Sequence, residues 1–130
     1  MSDLFSSFSI AASGMESRAR RMRHVSENIS NADTPGYRRK TVNFHAETDR
    51  ATGASRVKVG PVQLDPRELP RIYDPGHALA DESGFYNGST VDLMIEVADA
   101  REAGRSYEAN LRVFDQTRQM AQGLLDLLRR

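Results

Sequence analysis

VDLMIEVADAREAGRSYEANLRVFDQTRQMAQGLLDLLRR, residues Val91–Arg130, contains no proline and repeats its apolar residues every seven positions. Leu93, Ala100, Tyr107, Phe114, Ala121 and Leu128 fill one register; Val97, Gly104, Leu111 and Leu125 fill a second, interrupted at Arg118. A heptad in two linked registers marks an amphipathic helix that packs lengthwise against another helix. At 1.5 Å per residue the segment makes a rod of about 60 Å. A compact chain of this size has a radius of gyration of only ~14 Å. Such a rod cannot be wrapped by its own chain, so the fold is elongated and part of the helix surface is left for a partner.

The other segment of this kind is Leu4–Ala32. Phe8, Met15, Met22 and Ile29 form one register; Leu4, Ala11, Val25 and Ala32 form the other, with Arg18 as its polar break. About 28 residues of helix span roughly 42 Å. The two segments predict a mainly α fold: two long terminal helices in an antiparallel, coiled-coil-like pair, with a small irregular β-containing segment between them. The divisions are residues 1–37 for the N-terminal helix and its closing turn, 38–89 for the middle, and 90–130 for the C-terminal helix.

The first helix is closed by SNADTPGY, Ser30–Tyr37. Asn31 tolerates the left-handed conformation that ends a helix, and Pro35 pushes Thr34 out of the helical region. Thr34-Pro35-Gly36-Tyr37 suits a type II turn, with glycine taking the positive φ at its third position. Tyr37 is thereby set to pack back. The middle segment holds four of the five prolines, and Val57-Lys58-Val59 and Val62-Gln63-Leu64 read as short strands. HAETDRATGAS, His45–Ser55, is expected to be a mobile loop.

Composition narrows the function. Eighteen basic and eighteen acidic residues give a formal net charge of zero, and there is no cysteine. Thiolate metal sites, disulfides and Cys nucleophiles are excluded. No apolar run approaches the ~20 residues of a membrane helix, and the N-terminus, with Asp3 and interrupting serines, is a poor secretory signal. The basic residues Arg18, Arg20, Arg21, Arg23 and His24, with Arg38, Arg39 and Lys40 beyond the turn, surround the polar face of the helix instead of forming one stripe, which disfavours a nucleic-acid surface. His24, His45 and His77 lack zinc spacing. No nucleophile–base pair is legible, so neither enzyme, cofactor nor small-molecule ligand is expected.

Three motifs carry a family resemblance. Asn31, Thr34, Pro35, Gly36 and Tyr37 make an Asn-x-x-Thr-Pro-Gly-Tyr element similar to that of bacterial flagellar axial proteins. Tyr73-Asp74-Pro75-Gly76-His77-Ala78-Leu79-Ala80-Asp81-Glu82-Ser83-Gly84-Phe85 resembles a segment of short proximal-rod proteins of the FlgC type, with Ala78 where proline is usual. Arg105-Ser106-Tyr107-Glu108-Ala109-Asn110 resembles an axial C-terminal helix element. The order and spacing match the family across essentially the whole chain. Ser89-Thr90-Val91-Asp92 replaces the usual entry to the last helix.

The resemblance implies a structural subunit of the flagellar basal-body proximal rod. Its partners would be other rod proteins and further copies of itself, near the inner-membrane ring and export apparatus. It would lie in the periplasmic rod, exported without a cleaved signal peptide. The assembly interface is expected on Leu4, Phe8, Ala11, Met15, Met22, Val25 and Ile29 of the first helix, and on Val97, Tyr107, Leu111, Phe114, Ala121, Leu125 and Leu128 of the second. No core of the free subunit is expected to depend on Phe8 or Leu111. The rival reading is a coiled-coil adaptor that binds one protein partner.

Overall fold

The computed structural model describes residues 2–130. Helix α1 (Ser2–Ser30) and helix α2 (Leu93–Leu128) are about 43 and 54 Å long and lie side by side, antiparallel. Between them come β1 (Lys40–Thr41), β2 (Phe44–Thr48), β3 (Ser55–Val59), β4 (Gln63–Leu64), β5 (Arg71–Tyr73) and β6 (Phe85–Asn87). They pair as three separate two-stranded antiparallel sheets, β1 with β4, β2 with β3 and β5 with β6. The fold is therefore the expected mainly α one, an antiparallel helix pair with a small strand-bearing insert.

Helix ends follow local chemistry. The side chain of Asp92 accepts from the Met94 amide at 3.0 Å and caps α2, so the helix starts two residues after Val91. At the end of α1, Asn31 does not turn left-handed: among the described residues only glycines have positive φ. Its amide donates to the Glu27 carbonyl at 2.8 Å, and its Oδ1 accepts from the Thr34 hydroxyl at 3.1 Å. Asparagine closes the helix through its side chain instead.

His45–Ser55 is not a loop throughout. His45–Thr48 belong to β2 and pair in register with Ser55–Lys58, leaving the connection after Thr48 as the turn. That hairpin is held against α1. Ser13 Oγ accepts from the Val57 amide at 3.2 Å and Ser17 Oγ donates to the Val57 carbonyl at 3.3 Å. Two serines one helical turn apart thus satisfy the outer edge of a strand. Arg18 lies over the ring of Phe44, 4.4 Å from its centroid.

Candidate assembly interface

The innermost line of the helix pair is polar and small. On α2 it runs through Glu96, Ala103, Asn110 and Thr117, and on α1 through Ala11, Gly14, Ser17, Val25 and Asn28; of these only Asn110 is not buried. It lies one residue before the Val97–Leu111 register that periodicity singles out. Small side chains allow close helix approach, and the polar ones are hydrogen-bonded.

Asn28 and Glu96, both 0% exposed, are the centre of a clamp at the end of the pair where α1 stops and α2 begins. Asn28 Oδ1 accepts from the Tyr37 hydroxyl and from the Lys40 amide, each at 2.9 Å. Its amide group donates to the Lys40 carbonyl at 2.9 Å and to Glu96 at 3.3 Å. Arg39 ion-pairs with Glu96 and with Asp99, and its amide donates to Thr90 Oγ1 at 2.8 Å. A buried carboxylate is tolerated because a guanidinium and a carboxamide both meet it. Burial pushes the Tyr37 phenol up, keeping it a donor.

Within the turn motif, Gly36 has φ 75° and the Tyr37 amide donates to the Thr34 carbonyl at 3.2 Å, as a type II turn requires. The Gly36 amide reaches the carbonyls of Asn87 and Gly88 at 3.2 Å, which ties the turn to β6. Pro35 is half-buried beside it. The motif's five residues therefore share one junction, and four residues that periodicity misses, Asn28, Arg39, Glu96 and Asp99, fasten it to both helices. The available signal was a heptad of polar and small residues beside the apolar one.

The candidate interface residues divide. Ala11 and Val25 are buried in the pair, and the Phe8 and Phe114 rings meet edge-on with centroids 5.1 Å apart. Phe8 thus belongs to the free subunit's own packing, contrary to the expectation above: its ring lies on the seam side of α1, level with α2. Leu4, Met15, Tyr107 and Ala121 are half-buried at the margins. Met22, Ile29, Val97, Leu111, Leu125 and Leu128 remain exposed, the last at 76%. From Gln122 onward every residue is exposed, because α2 runs past the start of α1.

The Tyr73–Gly84 segment runs from the last residue of β5 through the turns that lead to β6. Tyr73 tilts against Phe85 at 5.1 Å and His77 stacks on Tyr86 at 3.9 Å. Asp74 accepts from the Gly76 amide at 3.2 Å, and Asp81 from the Ser83 and Phe85 amides at 2.9 and 3.0 Å. Pro75 packs over Gly84, whose φ is 84°; a Cβ there would sit 2.9 Å from the Tyr73 ring and 3.0 Å from Pro75. Glu82 is exposed. Gly36 has open space at the same point. Gly36→Ala is therefore expected to cost about 1 kcal/mol, for the backbone alone. Gly84→Ala should cost about 2–4 kcal/mol, since the ring and proline must also move. Denaturant titration of the two variants checks the order.

Electrostatics add an acid sensitivity. Its hydrogen bond from Lys40 holds the Glu27 carboxyl below its ordinary range, and Arg67 does the same for Asp65. A depressed carboxylate stabilises the fold above its unfolded pKa and loses that contribution as pH falls through the folded value. The urea midpoint should be flat between pH 7 and about 5 and fall below about pH 4. A Glu27→Gln, Asp65→Asn double variant should show a shallower fall. Glu27 and Lys40 are solvent-accessible and Asp65, more covered, is met by an exposed Arg67, so the slope they remove is small.

Among the described residues, no three His, Asp or Glu side chains are placed to hold a metal ion, and no helix is long and apolar enough to cross a membrane. The geometry offers two stiff helices, a pinned turn and apolar side chains that the chain itself leaves uncovered.

Comparison with known proteins agrees with that picture. Residues 8–38 match the family model described as flagella basal body rod protein, and residues 82–127 match that of the flagellar basal body rod FlgEFG protein C-terminal. The flagellar basal-body rod protein FlgC of Agrobacterium fabrum is 46% identical over 136 aligned positions, covering 99% of this chain and 98% of the relative. FlgC of Salmonella typhimurium is 30% identical, covering 90% and 92%. With both ends matched by rod-protein models and relatives aligned over nearly their full length, the chain belongs to the FlgC family of flagellar basal-body rod proteins.

Proposed function

We propose that this chain is a subunit of the proximal rod. There its terminal helices pack with further copies and with other rod proteins into a hollow shaft that transmits motor torque. The shaft stands in the periplasm close to the inner-membrane ring and export apparatus, and the subunit reaches it through the flagellar export route without signal cleavage. Its role is mechanical, with no catalysis, cofactor, nucleic acid or small-molecule ligand.

One observation carries this reading. The accessible surface is 9240 Å², against about 6,900 Å² for a compact monomer of this length. The excess, about 2,300 Å², lies in the range that obligate interfaces bury. Along both helices Met22, Ile29, Val97, Leu111, Leu125 and Leu128 are exposed and available to a neighbour. A repeating heterologous contact covers such surface and builds a tube. The turn motif and the Tyr73–Gly84 segment present a fixed outer edge to neighbours.

Subtomogram averaging of basal bodies from cells carrying a tagged copy tests the position. Extra density at the membrane-proximal end of the rod is expected. Density confined to the distal rod would overturn the proximal assignment. A soluble one-to-one complex, with no tagged chain in basal bodies, would favour the adaptor reading.

A further inference from the structure

Asn87 and Gly88 form the chain's one Asn-Gly step, at the end of β6. A glycine after asparagine has no side chain to shield its amide nitrogen, which can then attack the neighbouring carboxamide. The Asn87 side chain is exposed, while Gly88 is buried. In the folded chain the nitrogen is occupied: the Gly88 N–H donates to the Pro70 carbonyl at 2.7 Å. The carbonyls of both residues accept from the Gly36 amide at 3.2 Å, so the step is part of the junction that anchors the turn motif. There is no slack around it, since a Cβ on Gly88 would lie 2.6 Å from Ile72 Cδ1.

We propose that Asn87-Gly88 is a deamidation site that the folded junction silences, and that an unfolded chain which reacts there loses the ability to rebuild the junction. The inference stands independently of the rod reading.

The reaction needs only water. The Gly88 nitrogen gives up its proton to solvent base and bonds to Asn87 Cγ; the Cγ–Nδ2 bond breaks, and ammonia leaves with a proton taken from solvent. Water then opens the succinimide ring at either carbonyl. Opening at Cγ gives aspartate with the ordinary linkage. Opening at the former main-chain carbonyl gives isoaspartate, in which the chain runs through Cγ with an extra methylene and the old carbonyl carbon carries a free carboxylate. While Pro70 holds the Gly88 N–H, that nitrogen cannot turn toward Asn87 Cγ, so reaction waits on opening of the junction. In an isoaspartate chain the extra methylene moves Gly88 off the Pro70 carbonyl and off the Gly36 amide, and Ile72 leaves no room for the detour. A slow chemical change of the unfolded state thereby becomes an irreversible loss of the native one.

To test this, the full-length chain is aged at mildly alkaline pH, folded in buffer and unfolded in guanidinium chloride, beside a synthetic FYNGST peptide, and mapped by mass spectrometry. Isoaspartate at position 87 is expected in the unfolded chain and the peptide alike, and to form at least about tenfold more slowly in the folded chain. The isoaspartate form, separated by ion exchange and refolded, should have a guanidinium midpoint lower by about 0.5 M or more. Asn87→Asp, which adds the charge without the longer linkage, should stay near the parent midpoint. Asn87→Gln, whose longer side chain closes the ring far more slowly, should refold unchanged after ageing unfolded. Absence of isoaspartate from the unfolded chain while the peptide converts would overturn the site, and equal rates in the folded and unfolded chains would overturn the silencing. An unchanged midpoint in the isoaspartate form, an equal loss in Asn87→Asp, or an equal loss on ageing in Asn87→Gln would overturn the consequence for refolding.

Discussion

Asn28→Ala should lower the stability of the free subunit by about 3–5 kcal/mol. The alanine removes two acceptor and two donor contacts at a site with 0% exposure. It leaves the Tyr37 hydroxyl, the Lys40 backbone and one face of Glu96 without partners. Each buried orphan costs about 1–3 kcal/mol, and breaking into a buried ion pair's hydrogen bonds lies at the upper end. Tyr37→Phe, which deletes only one hydroxyl, should cost about 1 kcal/mol. Urea titration followed by circular dichroism separates the two. A loss below 1 kcal/mol for Asn28→Ala would mean that water replaces the clamp at no penalty, and the junction would not be the anchor of the fold.

Leu111→Asp should abolish swimming and rod assembly while leaving the isolated subunit's stability within about 0.5 kcal/mol. Leu111 is exposed in the free chain, so the aspartate is solvated there. In a packed layer every copy would bury an unpaired carboxylate, costing several kcal/mol or forcing it to take up a proton. Phe8→Asp provides the contrast. Its ring packs on Phe114 within the chain, so that variant should lose about 3–5 kcal/mol in the free subunit and fail for want of a stable hairpin. Complete basal bodies in the Leu111→Asp strain would show that the outward register is not an assembly surface.

Much of the architecture was legible in the sequence because it rests on local signals. Heptads, a proline-free run and a Thr-Pro-Gly-Tyr turn each constrain a few adjacent residues, and they give the two helices, their antiparallel pairing and the glycine conformation at position 36. What was not legible depends on contacts between distant segments. Glu96 is surrounded by apolar residues in sequence and reads as a stray charge on a helix face; only Arg39, brought 57 positions along the chain by the turn, makes it a core residue. The seam displaced by one residue has the same origin. Periodicity finds the most apolar stripe and assigns it to the partner helix, but here the helices meet mainly over small and polar side chains, with Val25 and the Phe8–Phe114 pair inside and most other large apolar residues exposed. His45–Thr48 looked like loop because polar residues dominate it. Its strand character comes from pairing with Ser55–Lys58 and from the Ser13 and Ser17 hydroxyls behind them.

The clamp formed by Asn28, Arg39, Glu96 and Asp99 holds only one end of the helix pair. Mechanically this makes each subunit a cantilever, rooted where the turn, β6 and both helices interlock and compliant toward the tip, where α2 alone continues. A sideways load at the tip bends first the roughly 10 Å of α2 beyond Ala121 that α1 does not support, and what it passes on reaches the packed pair and its root. In a shaft that is twisted in either direction, small differences in angle between successive copies would be taken up at the free tips. The geometry of each rooted junction would stay the same from copy to copy.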